Sequence, residues 1–421
     1  MNQHIRLCAF ILHFLILPGI ATSQSADIPT AMTIRDAVDV AMRASYETSR
    51  QDALLDIAHA EREQAGLYAN PEAGFSIEQL HHKGASLSEW TLAVDYPFFS
   101  LLTRGKRIGA ADFAVRAAAH RRTRSLEALA YNVRDGFIRL WEAREMQNSF
   151  REMETVLRSL DRTTARRSGE GDISAYEEQR LRTELSRLRW RHTEASASVR
   201  EAETELALLM ALPLNALEAR RLMLPQVLNG APELAALQAT ALERRADLQA
   251  LRAEQEELRR RGAWIGTQWM DKLRLGGGYK RQSDDFRGPV FTVSLPLAVF
   301  HRDQGSSRAI VADEARLLAQ IRELEQRIAL EIQGGVATIR ELQDQAAELR
   351  FPDEDEAARF VTAATTAYRE GEFSLVEFLD AIRAHIDNAE LRSAVRASML
   401  RAAFRLEYAA GGSIFKLQET N

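Results

Sequence analysis

The sequence predicts a mainly α protein with a small β part, in which one structural plan occurs twice. Three observations lead there. Residues Glu170-Gly171-Asp172-Ile173-Ser174-Ala175-Tyr176-Glu177 return as Glu370-Gly371-Glu372-Phe373-Ser374-Leu375-Val376-Glu377, an offset of about 200 residues. Long runs of helical periodicity lead into and out of each copy. Each half also holds a pair of short stretches whose large apolar residues recur every second position, the period of a strand. Glycine past a helix end, then a small polar residue before a new apolar period, reverses a chain between two helices. Both copies therefore read as tips of long helical hairpins.

At 421 residues the chain could hold two or three domains, but the duplication favours two halves of one body. These are residues 24–212 and 233–410, joined by a Leu- and Pro-rich connector at 213–232 and followed by a tail at 411–421. A hydrophobic content of 46% excludes wholesale disorder, and a formal charge of −5 gives no case for nucleic-acid binding. Residues 1–23 read as a signal peptide. Arg6 is the positive start, Leu7 to Ile20 the apolar core, and Ala21-Thr22-Ser23 the small residues a peptidase reads. Removing them takes the charge to −6 and takes away Cys8, the one cysteine, which suits an oxidising compartment. Cys8 sits near the start of the apolar core, a poor position for a lipid acceptor. No later apolar run reaches the length of a membrane helix, which excludes a helical inner-membrane protein but not a β-barrel.

In chain order, Thr33 to Leu67 predicts one helix, with Ile34, Ala37, Val38 and Ala41 starting its apolar face and Asn70-Pro71 stopping it. Gly74 to Glu78 and Glu89 to Pro97 predict a strand pair. In the second, Trp90, Leu92, Val94 and Tyr96 lie on one face, and a polar loop with His81, His82, Lys83 and Gly84 joins the two. A proline-free helix from Gly105 to about Arg167 follows, about 90 Å long at roughly 1.5 Å per residue. Leu126, Leu129, Val133, Phe137, Leu140 and Trp141 form its stripe, and Leu181 to Leu212 is its return partner. The second half repeats this. Glu233 to Arg261 is helical, Lys272 to Tyr279 and Val290 to Pro296 are strands, and a long helix opens at Gly305. Pro352 kinks that helix or starts a new segment. Four strands cannot close a barrel in one chain, yet open edges cannot face lipid. Three chains would bring twelve strands, an even number suited to an outer-membrane barrel. The alternative is a soluble coiled-coil scaffold with two hairpin caps.

With these features together, the chain resembles the TolC family of outer-membrane efflux proteins, over essentially all of the mature sequence. Within the family it is most similar to the CzcC-like heavy-metal efflux branch. Three passages carry that: Ser294-Leu295-Pro296-Leu297-Ala298-Val299-Phe300-His301-Arg302-Asp303-Gln304-Gly305; Pro352 with Glu354, Ala357, Ala358 and Tyr368-Arg369-Glu370-Gly371; and Leu375-Val376-Glu377-Phe378-Leu379-Asp380-Ala381. The resemblance implies a homotrimer, with a 12-stranded β-barrel in the outer membrane continuous with a periplasmic α-helical tunnel. It implies tips that close the tunnel and dock onto a periplasmic adaptor of an inner-membrane resistance-nodulation-division pump. It also implies a passive duct, for heavy-metal cations in this branch, with drugs or secreted proteins as alternative cargo.

The tip residues divide into two groups. Gly171, Asp172, Ser174, Gly371, Glu372 and Ser374 stand where the family's tips meet the adaptor. Glu377 and Asp380, three apart on one helix face, match its acidic constriction and under threefold symmetry would form two carboxylate rings. Read from the residues alone, they fit equally well as an acidic first turn favoured by the helix dipole. Tyr368 matches a tyrosine of the closed state, and Glu177 is the acidic counterpart in the first copy. Phe373 stands where TolC carries a gate arginine, so that link cannot form in the same way; Arg369 and Arg180 read as solvated helix positions. His81-His82 and His301 lack the three or four converging ligands of a metal site. Gly276 to Gly278 lack a following phosphate-binding helix and read as strand or bend residues. No nucleophile–base pair is legible, so neither an enzyme nor a cofactor is expected.

Overall fold

The computed structural model describes residues 31–418 apart from 83–84, 170–173, 219, 228–229, 231, 298, 301 and 353. The expected signal segment, with Cys8, lies outside the described residues, as do Gly171, Asp172 and His301. The first half runs β1 (Ala31–Thr33), α1 (Ile34–Ala44), α2 (Tyr46–Gly66), β2 (Glu72–His82), β3 (Ala85–Tyr96), α3 (Ser100–Gly169) and α4 (Ala175–Leu209). Then come β4 (Arg221–Met223) and β5 (Gln226–Val227). The second half runs α5 (Leu234–Arg244), α6 (Ala246–Ile265), β6 (Arg274–Gln282), β7 (Arg287–Ser294), α7 (Gln304–Glu348), α8 (Glu354–Glu370), α9 (Leu375–Ala410) and β8 (Leu417–Gln418).

Each helix expected to open a half is in fact two. At Ser45 the backbone turns extended (φ −62°, ψ 138°). Its N–H closes α1 on the Ala41 carbonyl at 2.9 Å, while its hydroxyl accepts from the Glu47 N–H at 3.2 Å. One residue thus ends a helix and caps the next. Arg245 breaks α5 from α6 at the same repeat offset (φ −58°, ψ 120°), its N–H donating to Ala241 at 2.9 Å. The connector and tail also hold structure: β4 pairs in parallel with β1, and β8 pairs antiparallel with β5.

The long helices define the scaffold. Helix α3 begins at Ser100 rather than Gly105 and continues for 70 residues, about 105 Å at roughly 1.5 Å per residue. Its middle buries Val133, Phe137, Ile138 and Leu140 against Leu206 and Met210, and against Leu400 and Phe404 of α9. Toward the tips, Leu157 and Leu160 pack with Leu181, Leu185, Val361, Phe378 and Ile382. In the second half Ile328, Ile332, Val336 and Ile339 of α7 pack with Leu237, Ala241, Leu248 and Leu406. The second long helix is divided, as Pro352 led us to expect. Helix α7 stops at Glu348, and α8 resumes at Glu354.

One buried cation ties the second half together. The Arg245 guanidinium, 3% exposed, donates to both Asp247 oxygens (Nε 3.0 Å, Nη2 2.6 Å), to Glu331 of α7 (2.6 Å) and to the Ala409 carbonyl of α9 (3.2 Å). Its removal leaves Glu331 without this partner and Asp247 with only the longer contact to Arg124, at 3.5 Å. Arg245→Ala is expected to destabilise the fold by about 3 kcal/mol, read as a shift in the denaturant midpoint of the helical circular-dichroism signal.

Candidate functional site

Two regions carry features that a helical scaffold alone does not need: the four-stranded sheet and the tips. The sheet has the order β2-β3-β6-β7, antiparallel throughout. Its strands are longer than the sequence pattern suggested. His81, expected in a loop, lies inside β2 opposite Ser86, whereas Lys272 falls before β6 in a short helical turn. Register places Phe75, Leu92, Tyr279 and Pro289 in one row across the sheet, and Ala73, Val94, Gly277 and Phe291 in the next. This face is apolar and uncovered: Phe291 is 84% exposed, Phe75 63% and Leu92 50%.

The opposite face is polar. Glu72 pairs with Arg274, Lys280 Nζ donates to Glu89 at 2.5 Å, and Gln282 Nε2 donates to the same carboxylate at 2.7 Å. Gly276 and Gly278 lie on this side as strand residues. A Cβ at Gly278 would run into the Leu92 carbonyl and the Ala93 backbone, so no side chain fits there, while one at Gly276 would require the Asp95 carboxylate to move. Strands β2 and β7 have no further partner strand among the described residues. Such edges template association.

At the second tip α8 ends with Gly371 at φ +84°, a conformation that costs glycine little. The Glu372 N–H reaches back to Ala367 O at 2.9 Å and the Gly371 N–H to Tyr368 O at 3.3 Å, closing a Schellman motif. Helix α9 then starts with a reciprocal cap. Glu377 N–H donates to Ser374 Oγ (3.3 Å), while Ser374 N–H and Oγ both donate to Glu377 Oε2 (2.8 Å each). The first tip repeats it: Glu177 N–H donates to Ser174 Oγ at 3.3 Å, and Ser174 N–H to Glu177 Oε2 at 3.4 Å. The bonds from the Ser374 N–H and hydroxyl hold the Glu377 carboxyl below its ordinary value of 4.5.

The remaining expected residues fall as follows. Asp380 is exposed on the same helix as Glu377 and pairs with Arg383 at 3.2 Å; Arg383 also bridges to Glu184 of α4. Tyr368 is buried, stacked on Phe378 (centroids 5.2 Å apart), with its hydroxyl 3.5 Å from Thr164 Oγ1 on α3. Phe373 and Arg369 are exposed, and Arg180 is half-buried. The Arg383–Glu184 bridge was missed from sequence, where no local signal pairs positions in different hairpins. Among the described residues no three His, Cys, Asp or Glu side chains converge as a metal site, and no helix is long and apolar enough to cross a membrane.

No protein-family model matches the sequence, and no curated protein matches it. Solved structures do. The chain superimposes on the outer-membrane channel OprN with a TM-score of 0.70 at 16% identity, over 90% of either chain. For the CmeC outer-membrane channel of Campylobacter jejuni the TM-score is 0.68 at 16% identity, over 94% of this chain and 91% of that one. For the outer-membrane protein VceC of Vibrio cholerae it is 0.65 at 15% identity, over 90% and 96%. The chain has the fold of solved outer-membrane channels. That fold spans both regions, with the sheet and the tips at opposite ends of α3 and its partner helices.

The caps give a pH prediction. A carboxyl whose folded pKa is lowered contributes stability fully above its unfolded value and loses it as pH falls through the folded one. The protection factors of the amides in the first turn of α9, exchange measured against its intrinsic rate at each pH, are therefore expected to hold above pH 4.5 and to fall below it. In Ser374→Ala that turn should exchange faster at every pH, with a weaker pH dependence.

Proposed function

We propose that this chain is the outer-membrane channel of a tripartite efflux system, a passive duct and not an enzyme. The observation that carries the reading is the sheet, with one bare apolar face, one charged and hydrogen-bonded face and two unpaired edges. Water offers no place for such a face, and lipid offers none for such edges. Closing three copies edge to edge satisfies both, giving a twelve-stranded barrel with the apolar face toward lipid and the polar face toward a lumen. The helices extend that lumen as a periplasmic tunnel ending at the tips. The fold shared with OprN, CmeC and VceC supports this assembly.

In this reading the tips, with Gly171, Asp172, Ser174, Gly371, Glu372 and Ser374, dock onto a periplasmic adaptor of an inner-membrane resistance-nodulation-division pump. Glu377, Asp380, Tyr368 and Glu177 form the constriction. The cargo is a heavy-metal cation, drawn by carboxylates at the narrow end. The cargo assignment rests on the resemblance to the CzcC-like branch and on the acidic character of Glu377 and Asp380.

Two measurements test the reading. Mature protein in a planar bilayer should give a trimeric, cation-preferring pore of low conductance, and Glu377→Ala with Asp380→Ala should abolish the preference. An unaltered preference would remove those two residues from the constriction, and a folded membrane trimer without conductance would remove the duct. For the barrel, Leu92→Arg on the apolar face should cost insertion about 2–4 kcal/mol if it lies near the bilayer midplane. Thr91→Arg, on the opposite face, should insert nearly as wild type in the same refolding assay.

A further inference from the structure

The two long hairpins differ in one place that the duplication does not explain. Helix α3 runs unbroken through the first, whereas in the second the backbone turns extended at Leu349 (φ −80°, ψ 131°) before α8 begins. Beneath residues 349–352 lies a cavity of about 180 Å³ between α8 and α9, lined by Phe351, Pro352, Phe360, His385, Asn388 and Arg392. Arg392 Nη1 donates to the Pro352 carbonyl at 3.5 Å and so spans it. Farther along, α8 is anchored by Val361, Ala364 and Tyr368 in the apolar core of the tips. Only its N-terminal end rests on the cavity.

His385 is the histidine in that wall, which also holds Glu356 and Arg392. Its imidazole is half-buried and makes no hydrogen bond among the described residues. The charges that face it are Glu152 from α3, Arg392 from α9 and Glu356 from α8, with Glu145, Arg151 and Arg221 in the adjoining groove between α3 and α8. Burial is the largest influence and disfavours the imidazolium; Glu152 opposes it and Arg392 reinforces it, leaving the imidazole below its ordinary 6.5. The packed arrangement therefore suits the neutral ring.

We propose that this cavity is a pH-responsive joint, in which protonation of His385 loosens the N-terminal end of α8 from α9 and lets the second tip shift while α3 stays straight. A loosened joint hydrates the imidazole, so it binds a proton more readily than the packed one, and falling pH favours it by linkage. The bias is absent well above 6.5 and grows as pH falls through that value toward the lowered one. Each unit of pKa difference between the two arrangements changes their ratio by about tenfold. That the loosening opens a channel rests on the proposed duct; the loosening itself does not.

The test places spin labels on cysteines introduced at the exposed Arg359 of α8 and Glu390 of α9, in the full-length protein, and follows their distance from pH 8 to pH 5. The expected result is a lengthening or broadening with a midpoint below 6.5, absent in His385→Gln. A distance independent of pH in the folded wild type, or an acid response that survives in His385→Gln, would overturn the joint. Acid-dependent distances without any change in conductance would leave the joint standing and sever its link to the duct.

Discussion

A helix of 70 residues in water has to bury a stripe along its whole length, and that requirement organises the chain. Near the sheet, α2 and α6 flank α3, with Arg62 bonding Asp112 and Arg121 pairing with Glu254 across the two contacts. Around its middle, α1, α4 and α9 close on Val133, Phe137 and Leu140. Toward the tips α4, α8 and α9 take over at Leu157 and Leu160. No single partner helix covers the full length. The breaks at Ser45 and Arg245 therefore fit the architecture: each lets a shorter helix leave its core at one residue and the next start along α3.

The tips show how a structural bond and a charge can reside in the same atoms. Glu377 accepts from the N–H and hydroxyl of Ser374, and both bonds favour its ionised form. A carboxylate used in this way keeps its charge to lower pH than a free one. Capping α9 and presenting negative charge at the tip are therefore compatible roles for one residue. Asp380 is different, since its charge is already met by Arg383 on the next turn. In the proposed trimer Glu377 would carry more of the local field than Asp380 does.

The periodic features were legible in the sequence because they are repeated locally. The hairpins, the strand pairs and the interruption at Pro352 each follow from spacing or from one constrained residue. The helix breaks were not, although Ser45 followed by Glu47 is a cap in retrospect. The apolar period runs through both sides of Ser45 and hides a turn made by one residue. Arg245 is harder still, because its extended backbone is held by partners far along the chain, at Glu331 and Ala409. The acidic first turn at Glu377 and Asp380 fitted a helix start and a constriction equally, and the Ser-x-x-Glu spacing that caps both return helices was overlooked. The Arg383–Glu184 bridge joins positions 199 apart and left no local trace.

Duplication followed by divergence accounts for the remaining asymmetry. Both tips keep the same serine–glutamate cap, which fixes how each return helix begins, so the return helices start alike. The outgoing helices differ, because only the second carries a proline ahead of the tip and is interrupted there. Around the threefold axis of the proposed channel such a chain would alternate stiff hairpins with hairpins broken near one end. Bending at the broken ones would displace three tips and leave three in place. In the proposed channel a ring built that way would change its aperture without disturbing the apolar stripe of α3, on which the packing of both halves depends.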